Sequence, residues 1–315
     1  MVCQEQRGFA KLKLPQLEQQ TVQGISYLTD DALASSVGVY MGFTLRSGGK
    51  SLPPYDSLNL ATHVNDNPTA VEQNRQLLFE ALGFPHVPVI VPNQVHGTAL
   101  IDVQETAHEQ WEAYQQLAKQ GADGIIVNVK QHAALLCFAD CLPVIVVSPT
   151  GRFAVLHAGW RGALAGIVGK AIQHMVAQDK ASGATLDASP GASQGATLDA
   201  SPGASQHTPQ GAAGRAAVDA SQYNLYLGPC IEDSCFEVSA EIAQQFSNAY
   251  GPQVLLDKRH VSLTRAVEAD ALRAGLSAQR VANAHLCTVC NPELLFSYRA
   301  SGGVCGRHGA FGIRK

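Results

Sequence analysis

The stretch from Ala139 to Gly162 constrains this chain more than any other. It holds two short apolar runs, Leu142 to Val147 and Phe153 to Leu156, with Pro149-Thr-Gly151 between them. Runs of this length bounded by turn residues predict two buried strands joined by a turn. Asp140-Cys141 stands just before the first run, and His157-Ala-Gly-Trp-Arg-Gly162 closes and follows the second. A thiol and an imidazole are therefore expected at strand ends, where an α/β scaffold exposes its chemistry. Gly159 and Gly162 let backbone come close to a ligand, and the helix expected after them offers free N–H groups to an anion.

The composition narrows the class. The 315 residues are 46% hydrophobic and 15% charged, enough for one large core or two smaller ones. A net charge of −4 gives no electrostatic footprint for nucleic acid. The first residues lack the apolar run of a signal peptide. The most apolar region, Ala133 to Val147, is interrupted by Asp140 and Pro143, so no membrane span is expected. Eight cysteines in a chain this long read as reduced, mostly buried thiols of a cytoplasmic protein.

Along the chain, Val37 to Leu45 predicts a strand, and Arg46-Ser-Gly-Gly-Lys-Ser51 a turn that lacks the spacing of a P-loop. Asn67-Pro68 predicts a helix start and Gly83 its end, with Val71, Leu78 and Leu82 on one face. Strands are expected at Val87 to Val91 and Gly124 to Val129, with a helix over Gln104 to Gln120 between them. The helix after Gly162 turns Leu164, Ile167, Val168, Ala171, Ile172 and Met175 inward and leaves His174 on its solvated side. Tyr223 to Leu227 reads as a strand, and Val238 to Tyr250 and Leu263 to Arg273 as helices. Between the helix after Gly162 and the strand at Tyr223, Gly183 to Gln194 recurs unchanged as Gly195 to Gln206. Its Gly, Ala, Ser and Pro cannot bury enough apolar surface to offset ordering entropy. Residues 178–222 are thus expected to be a disordered insertion within a single domain spanning 1–315, and the two repeats, 183–206, to be dispensable.

Four arrangements could carry chemistry. His96, Cys141 and His157 suit Zn²⁺ as three protein ligands that leave a fourth position open. Cys287-x2-Cys290-x14-Cys305-x2-His308 has the spacing of a structural zinc knuckle. Cys141 is also a candidate nucleophile, activated by His157 with Asp140 as orienter. Finally, two imidazoles and a thiolate form the trigonal set of a copper site, with Met41 and Met175 the available axial donors besides Met1. Four-electron laccase chemistry is disfavoured, because the paired His-x-His motifs that bind several coppers are absent from the sequence.

A series of motifs then stands out in order: Gly42-Phe-Thr-Leu-Arg46, Ser57-Leu-Asn-Leu60, Asn93-Gln-Val-His-Gly97, Ala139-Asp-Cys-Leu-Pro143, His157-Ala-Gly-Trp-Arg-Gly162, Gly228-Pro-Cys-Ile231 and Phe296-Ser-Tyr-Arg299. The series resembles the polyphenol oxidase (laccase-domain) family of zinc-dependent purine nucleoside phosphorylases, which includes the peptidoglycan editing factor. It runs from about Val39 to the C-terminus, interrupted by the repeat. The resemblance implies a single α+β domain in four layers, helix/sheet/sheet/helix, with mixed sheets. It implies one Zn²⁺ held by His96, Cys141 and His157, and no need for a second metal at Cys290, Cys305 and His308. It implies phosphorolysis of adenosine, inosine, guanosine and methylthioadenosine, with phosphate as co-substrate, and hydrolytic deamination of adenosine. A cysteine hydrolase, a copper polyphenol oxidase and a non-enzymatic cell-wall-related factor are the alternatives. Partners are small purine nucleosides, with no nucleic acid, membrane or protein partner indicated.

Those reactions assign roles. Phosphorolysis needs an anion site and stabilisation of charge as the glycosidic bond breaks. Arg46 and Arg161 are assigned to it first, with Asn59, Arg299 and Arg307 contacting substrate; a surface salt bridge is the plain alternative for each arginine. Deamination needs a metal-activated water aimed at C6 of adenine and a proton shuttle. Asp140, beside a zinc ligand, is the expected shuttle, or else the group that orients His96 or His157. The pattern departs from the family at Lys50-Ser-Leu-Pro-Pro-Tyr55 and at Ala300, where a second arginine is usual.

Overall fold

A computed structural model describes residues 8–187 and 216–315. Its strands in chain order are β1 Gly8–Phe9, β2 Glu18–Val22, β3 Ile25–Thr29, β4 Val39–Thr44, β5 Val89–Ile90, β6 Leu100–Val103, β7 Gly124–Val127, β8 His132–Phe138, β9 Leu142–Val147, β10 Phe153–Ala158, β11 Thr185–Leu186, β12 Asn224–Leu227, β13 Val281–Asn283 and β14 His308–Arg314. The helices are α1 Ala32–Val37, α2 Pro68–Ala81, α3 His108–Gln120, α4 Trp160–Leu164, α5 Ile167–Ala181, α6 Ala240–Tyr250 and α7 Leu263–Arg273. They build a mixed α+β fold.

Two six-stranded sheets carry it, in the orders β13-β12-β9-β10-β7-β6 and β2-β3-β4-β14-β8-β5. Both are mixed. β6 runs parallel to β7, β12 to β13 and β5 to β8, while the other neighbours are antiparallel. Side chains of β9 alternate between faces, as a strand requires. Val144 and Val146 enter a core with Ile172 and Met175 of α5, Phe246 of α6 and Val267 of α7. Ile145 and Val147 enter a second core with Met41, Phe43, Leu136 and Phe138 of the other sheet. Both faces are covered, which is why β9 reads as an unbroken apolar run rather than an alternating one. A third cluster packs Leu135, Phe311 and Ile313 against Leu78 and Phe79 of α2. At Gly312 of β14 an added Cβ would sit 2.3 Å from the Phe153 ring, so this strand needs glycine for the sheets to approach.

Local expectations fare unevenly. Asn67 caps α2 by accepting from the Thr69 N–H, with Pro68 in the first turn. α7 has the bounds expected of it. The strand expected at Val87 to Val91 shrinks to two residues, because Pro88 and Pro92 lack the N–H that a ladder uses. The helix expected after Gly162 is two helices, separated at Gly166, whose φ of 72° is left-handed.

The insertion is narrower than expected. α5 continues through Ala181, and Thr185–Leu186 pairs in parallel with Gly8–Phe9. Ala184, Leu186, Val218 and Ala220 are buried in the first core. The expectation of disorder over 178–222 therefore fails at both ends, because each end contributes apolar side chains to that core. Its middle, 188–215, lies outside the described residues. No helix among the described residues is long and apolar enough to cross a membrane.

Deleting 183–206 should consequently lower stability, since it removes Leu186 and the β11 pairing. Leu186→Ala alone is expected to cost about 2–5 kcal/mol in urea unfolding. An unchanged unfolding midpoint for both variants would show that this edge is not part of the core.

Candidate metal centre and cleft

The β9–β10 hairpin creates the site. Its register places Ala158 opposite Leu142 and His157 opposite Pro143. The residue before β9, Cys141, therefore meets the end of β10 at the hairpin's open end. His96 arrives from the loop after β5, held in a left-handed conformation with φ 60°. Asp140 is also left-handed, at φ 85°. Two non-glycine residues in this sparsely populated region mark a site whose surroundings hold the backbone.

His96, Cys141 and His157 bring their ligand atoms within 4.8 Å of one another. His96 is exposed, Cys141 partly buried and His157 buried. The His96 and His157 rings meet edge to face at 4.8 Å, and Phe138 packs 5.4 Å from His157. Donors bound to one tetrahedral zinc at about 2.0–2.3 Å lie about 3.3–3.6 Å apart, so this spacing fits the ion after small side-chain adjustments. At Gly159 an added Cβ would stand 3.1 Å from both Cys141 Sγ and His96 Cδ2. Glycine thus keeps the space between the donors clear.

The group that orders this set is Asp123, the residue before β7, which sequence reasoning missed. Its Oδ1 accepts from His157 Nδ1 at 2.8 Å and from the His96 N–H at 2.9 Å. Its Oδ2 accepts from the Gly97 N–H at 2.6 Å. His157 N also donates to the Asp123 carbonyl at 2.7 Å. Binding Nδ1 leaves Nε2 of His157 for Cys141 or a metal. Burial works against the Asp123 carboxylate, but the His157 hydrogen bond and the two loop N–H groups keep its pKa low. Burial likewise opposes a Cys141 thiolate. The charge and hydrogen bond of His157, with His96 beside it, nonetheless lower the thiol to about 6. The His157 imidazolium is disfavoured by burial yet raised to about 9 by Cys141 and Asp123. Each group thus favours the charged form of the other, which favours sulfur as a nucleophile, whereas a metal would take the place of the proton on His157 Nε2.

Asp140 does not orient either histidine. Its carboxylate accepts from Thr288 Oγ1 at 2.6 Å and from the Arg299 N–H at 2.7 Å, so it faces the 288–299 segment. The roles of orienter for the histidines and for a Cys141–His157 pair fall to Asp123 instead.

The set opens into a cleft of about 580 Å³. Phe138, Trp160, Ile231, Phe236 and Tyr298 give it apolar walls, and Arg161, Arg299 and Arg307 reach it with Asp140, Gln94 and His63. His63 has no sequence motif of its own; burial first, then Arg307 and Arg75, lower its pKa and keep it neutral. None of the three arginines pairs with a carboxylate among the described residues. Arg161 stacks on Trp160 at 4.3 Å, Arg307 over Tyr298 at 5.5 Å and Arg299 over Phe236 at 5.7 Å. Arg299 also donates to the Cys235 and Glu237 carbonyls, and Arg307 to those of Cys305 and Gly306.

Two expected substrate residues lie elsewhere. Arg46 is absent from the cleft lining; its guanidinium binds the Asp56 and Pro292 carbonyls, pairs with the Asp56 carboxylate at 3.3 Å and stacks on Phe296. It braces two loops. Asn59 is fully buried, donating to Asp66 and accepting from the Ala61 and Arg307 N–H groups. It positions Arg307 rather than touching a ligand. Met41 and Met175 are buried in the second and first cores and do not line the cleft.

The proposed knuckle of Cys287, Cys290, Cys305 and His308 is not formed. His308 begins β14, paired with Phe138, and burial followed by the Arg307 charge lowers its imidazole pKa to about 3. Arg307 holds Cys305. Cys287 and Cys290 are joined by Cys235 instead.

The comparisons agree with this architecture. "Purine nucleoside phosphorylase YlmD" of Geobacillus stearothermophilus is 29% identical over 282 residues, 87% of this chain and 89% of that protein. "Purine nucleoside phosphorylase YfiH" of Shigella flexneri is 30% identical over 273 residues, 83% of this chain and 88% of that protein. The crystal structure of YlmD from Geobacillus stearothermophilus superposes with a TM-score of 0.71 at 27% identity, covering 96% of this chain and 100% of that one. The profile of the family described as multi-copper polyphenol oxidoreductase laccase matches residues 40–197 and 203–315. This chain is a member of that family.

Proposed function

We propose that this protein is a zinc-dependent purine nucleoside phosphorylase. One observation carries the reading: the His96–Cys141–His157 set opens into a cleft with aromatic walls and three arginines that pair with no carboxylate among the described residues. Phe138, Trp160, Phe236 and Tyr298 offer flat apolar faces to a purine. Arg161, Arg299 and Arg307 offer cationic donors to phosphate, whose oxygens suit guanidinium geometry. The relatives named purine nucleoside phosphorylase support the same class.

The residues then have distinct tasks. Arg161 and Arg307 bind and orient phosphate against the sugar carbon, which turns a two-body encounter into an intramolecular one. Charge that leaves with the purine needs a proton or a donor on the base. Asp140 is positioned by Thr288 and the Arg299 N–H to carry that proton. Asp123 fixes His157, and through the His96 and Gly97 N–H groups it fixes the loop bearing His96. Zinc in this set would supply a Lewis acid beside the reacting centre. The same set and Asp140 support deamination of adenosine as an accompanying reaction. Copper fits the donor types as well, but the donors form one such three-residue set, and the sequence lacks the paired motifs of a multicopper centre.

The Cys141–His157–Asp123 relay favours a second reading, a cysteine hydrolase, because it has the order of nucleophile, base and orienter.

With adenosine and phosphate, the purified protein should release adenine and ribose 1-phosphate. Without phosphate, ammonia and inosine mark deamination; absence of all four products would overturn the reading. Cys141→Ser should lose bound zinc together with activity, whereas a nucleophilic cysteine predicts lost activity with unchanged metal content. Asp123→Asn should weaken zinc binding about 10–100-fold, read by chelator competition. Arg161→Ala should raise the KM for phosphate about 10–100-fold, the equivalent of one charged hydrogen-bonding partner, with a smaller effect on the KM for nucleoside.

A further inference from the structure

A second group of sulfur atoms lies next in chain to the cleft residue Phe236, at Cys235, whose carbonyl accepts from Arg299 of the cleft. Cys235, Cys287 and Cys290 bring their Sγ atoms within 4.8 Å of one another, and Cys235 and Cys290 are 3.6 Å apart. Thiolates bound to one tetrahedral ion at about 2.3 Å lie about 3.8 Å apart. Sulfurs of a disulfide lie at about 2.05 Å, so Cys235 and Cys290 are free thiols, at a spacing close to that of shared ligands.

The backbone is built around these thiols. The Asn291 side-chain amide donates to the Cys287 carbonyl at 2.8 Å, closing the 287–290 turn. Two turns converge here. Cys230 and Cys287 form a parallel bridge, in which Thr288 N donates to the Cys230 carbonyl at 2.9 Å, and Cys235 N donates to the Glu232 carbonyl at 2.9 Å.

We propose that Cys235, Cys287 and Cys290 form a second metal site, taking a thiophilic d¹⁰ cation of the Zn²⁺ class that ties the 232–235 turn to the 287–290 turn. Three thiolates are soft donors and select such ions over hard ones. Cys290 is exposed, which leaves the outer side open for water or a fourth donor. The tie reaches the cleft, because Thr288 and the Arg299 N–H hold Asp140 and the Arg299 guanidinium is bound to the Cys235 carbonyl. Its role there is positioning. The expectation of one zinc per chain becomes two.

Metal analysis tests this without reference to any activity. Protein saturated with Zn²⁺ under thiol reductant, then freed of loosely held ion, should contain one equivalent more than Cys290→Ser treated alike. Cys235→Ser serves as a second variant should the first fail to fold. Co²⁺ added to a His96→Ala chain should give a sulfur-to-cobalt charge-transfer band that saturates at one equivalent, and Cys290→Ser in that chain should abolish it. Equal zinc contents in the parent and both cysteine variants would overturn the proposal. Recovery of a Cys235–Cys290 disulfide from the Zn²⁺-saturated parent would overturn it equally.

Discussion

The buried Asp123 carboxylate is the interaction on which the site rests. A charged group taken out of water is costly unless donors replace its hydration. Here the His157 ring and the His96 and Gly97 N–H groups replace it, each from an element that must be placed for the ligand set to exist. The need to satisfy one carboxylate therefore fastens a loop, a strand end and a histidine tautomer together. Removing it would leave His157 buried beside Cys141 without its counter-charge. The result would be a less ordered cluster even where the sheets stayed intact.

The cleft shows a similar economy on its opposite wall. Asp140 precedes Cys141, yet its carboxylate serves the other side, reaching Thr288 and the Arg299 N–H. Adjacent residues at a strand end point to opposite sides, and the left-handed φ of Asp140 sharpens that divergence. One short segment thereby supplies a donor to the candidate metal set and an acceptor to the arginine-bearing wall. Asn59 does comparable work out of sight, joining the Asp66 and Ala61 region to Arg307 through the backbone.

How much of this could be read from the sequence depends on whether the cause is local. The hairpin of β9 and β10, the capped α2 and the span of α7 follow from apolar runs, caps and turn residues within one segment. His96, Cys141 and His157 were legible as donors, but the reason to group them came from the resemblance, since nothing local joins residues so far apart in the chain. Asp123 carried no signal: a lone aspartate before a strand looks like any other. Arg46 and Asn59 sit in recognisable motifs and still brace loops, because a motif does not tell a contact from a support. Cys235 was missed for the opposite reason. Spacing pointed from Cys287 and Cys290 forward to Cys305 and His308, whereas the bridge between Cys230 and Cys287 brings the partner from behind.

The β9–β10 hairpin has a thermodynamic consequence. Its strands are buried on both faces by side chains that owe nothing to an ion. Cys141 and His157 are thus brought side by side by the apolar cores, and Asp123 aligns the rest of the set before any ion arrives. An ion entering such a preorganised receptor does not have to fold its own ligands, unlike the case of a small zinc module. Its binding energy goes into occupancy, and the chain gains stability only as the logarithm of free ion over dissociation constant. An ion held there would then be removable by chelation with a native protein left behind.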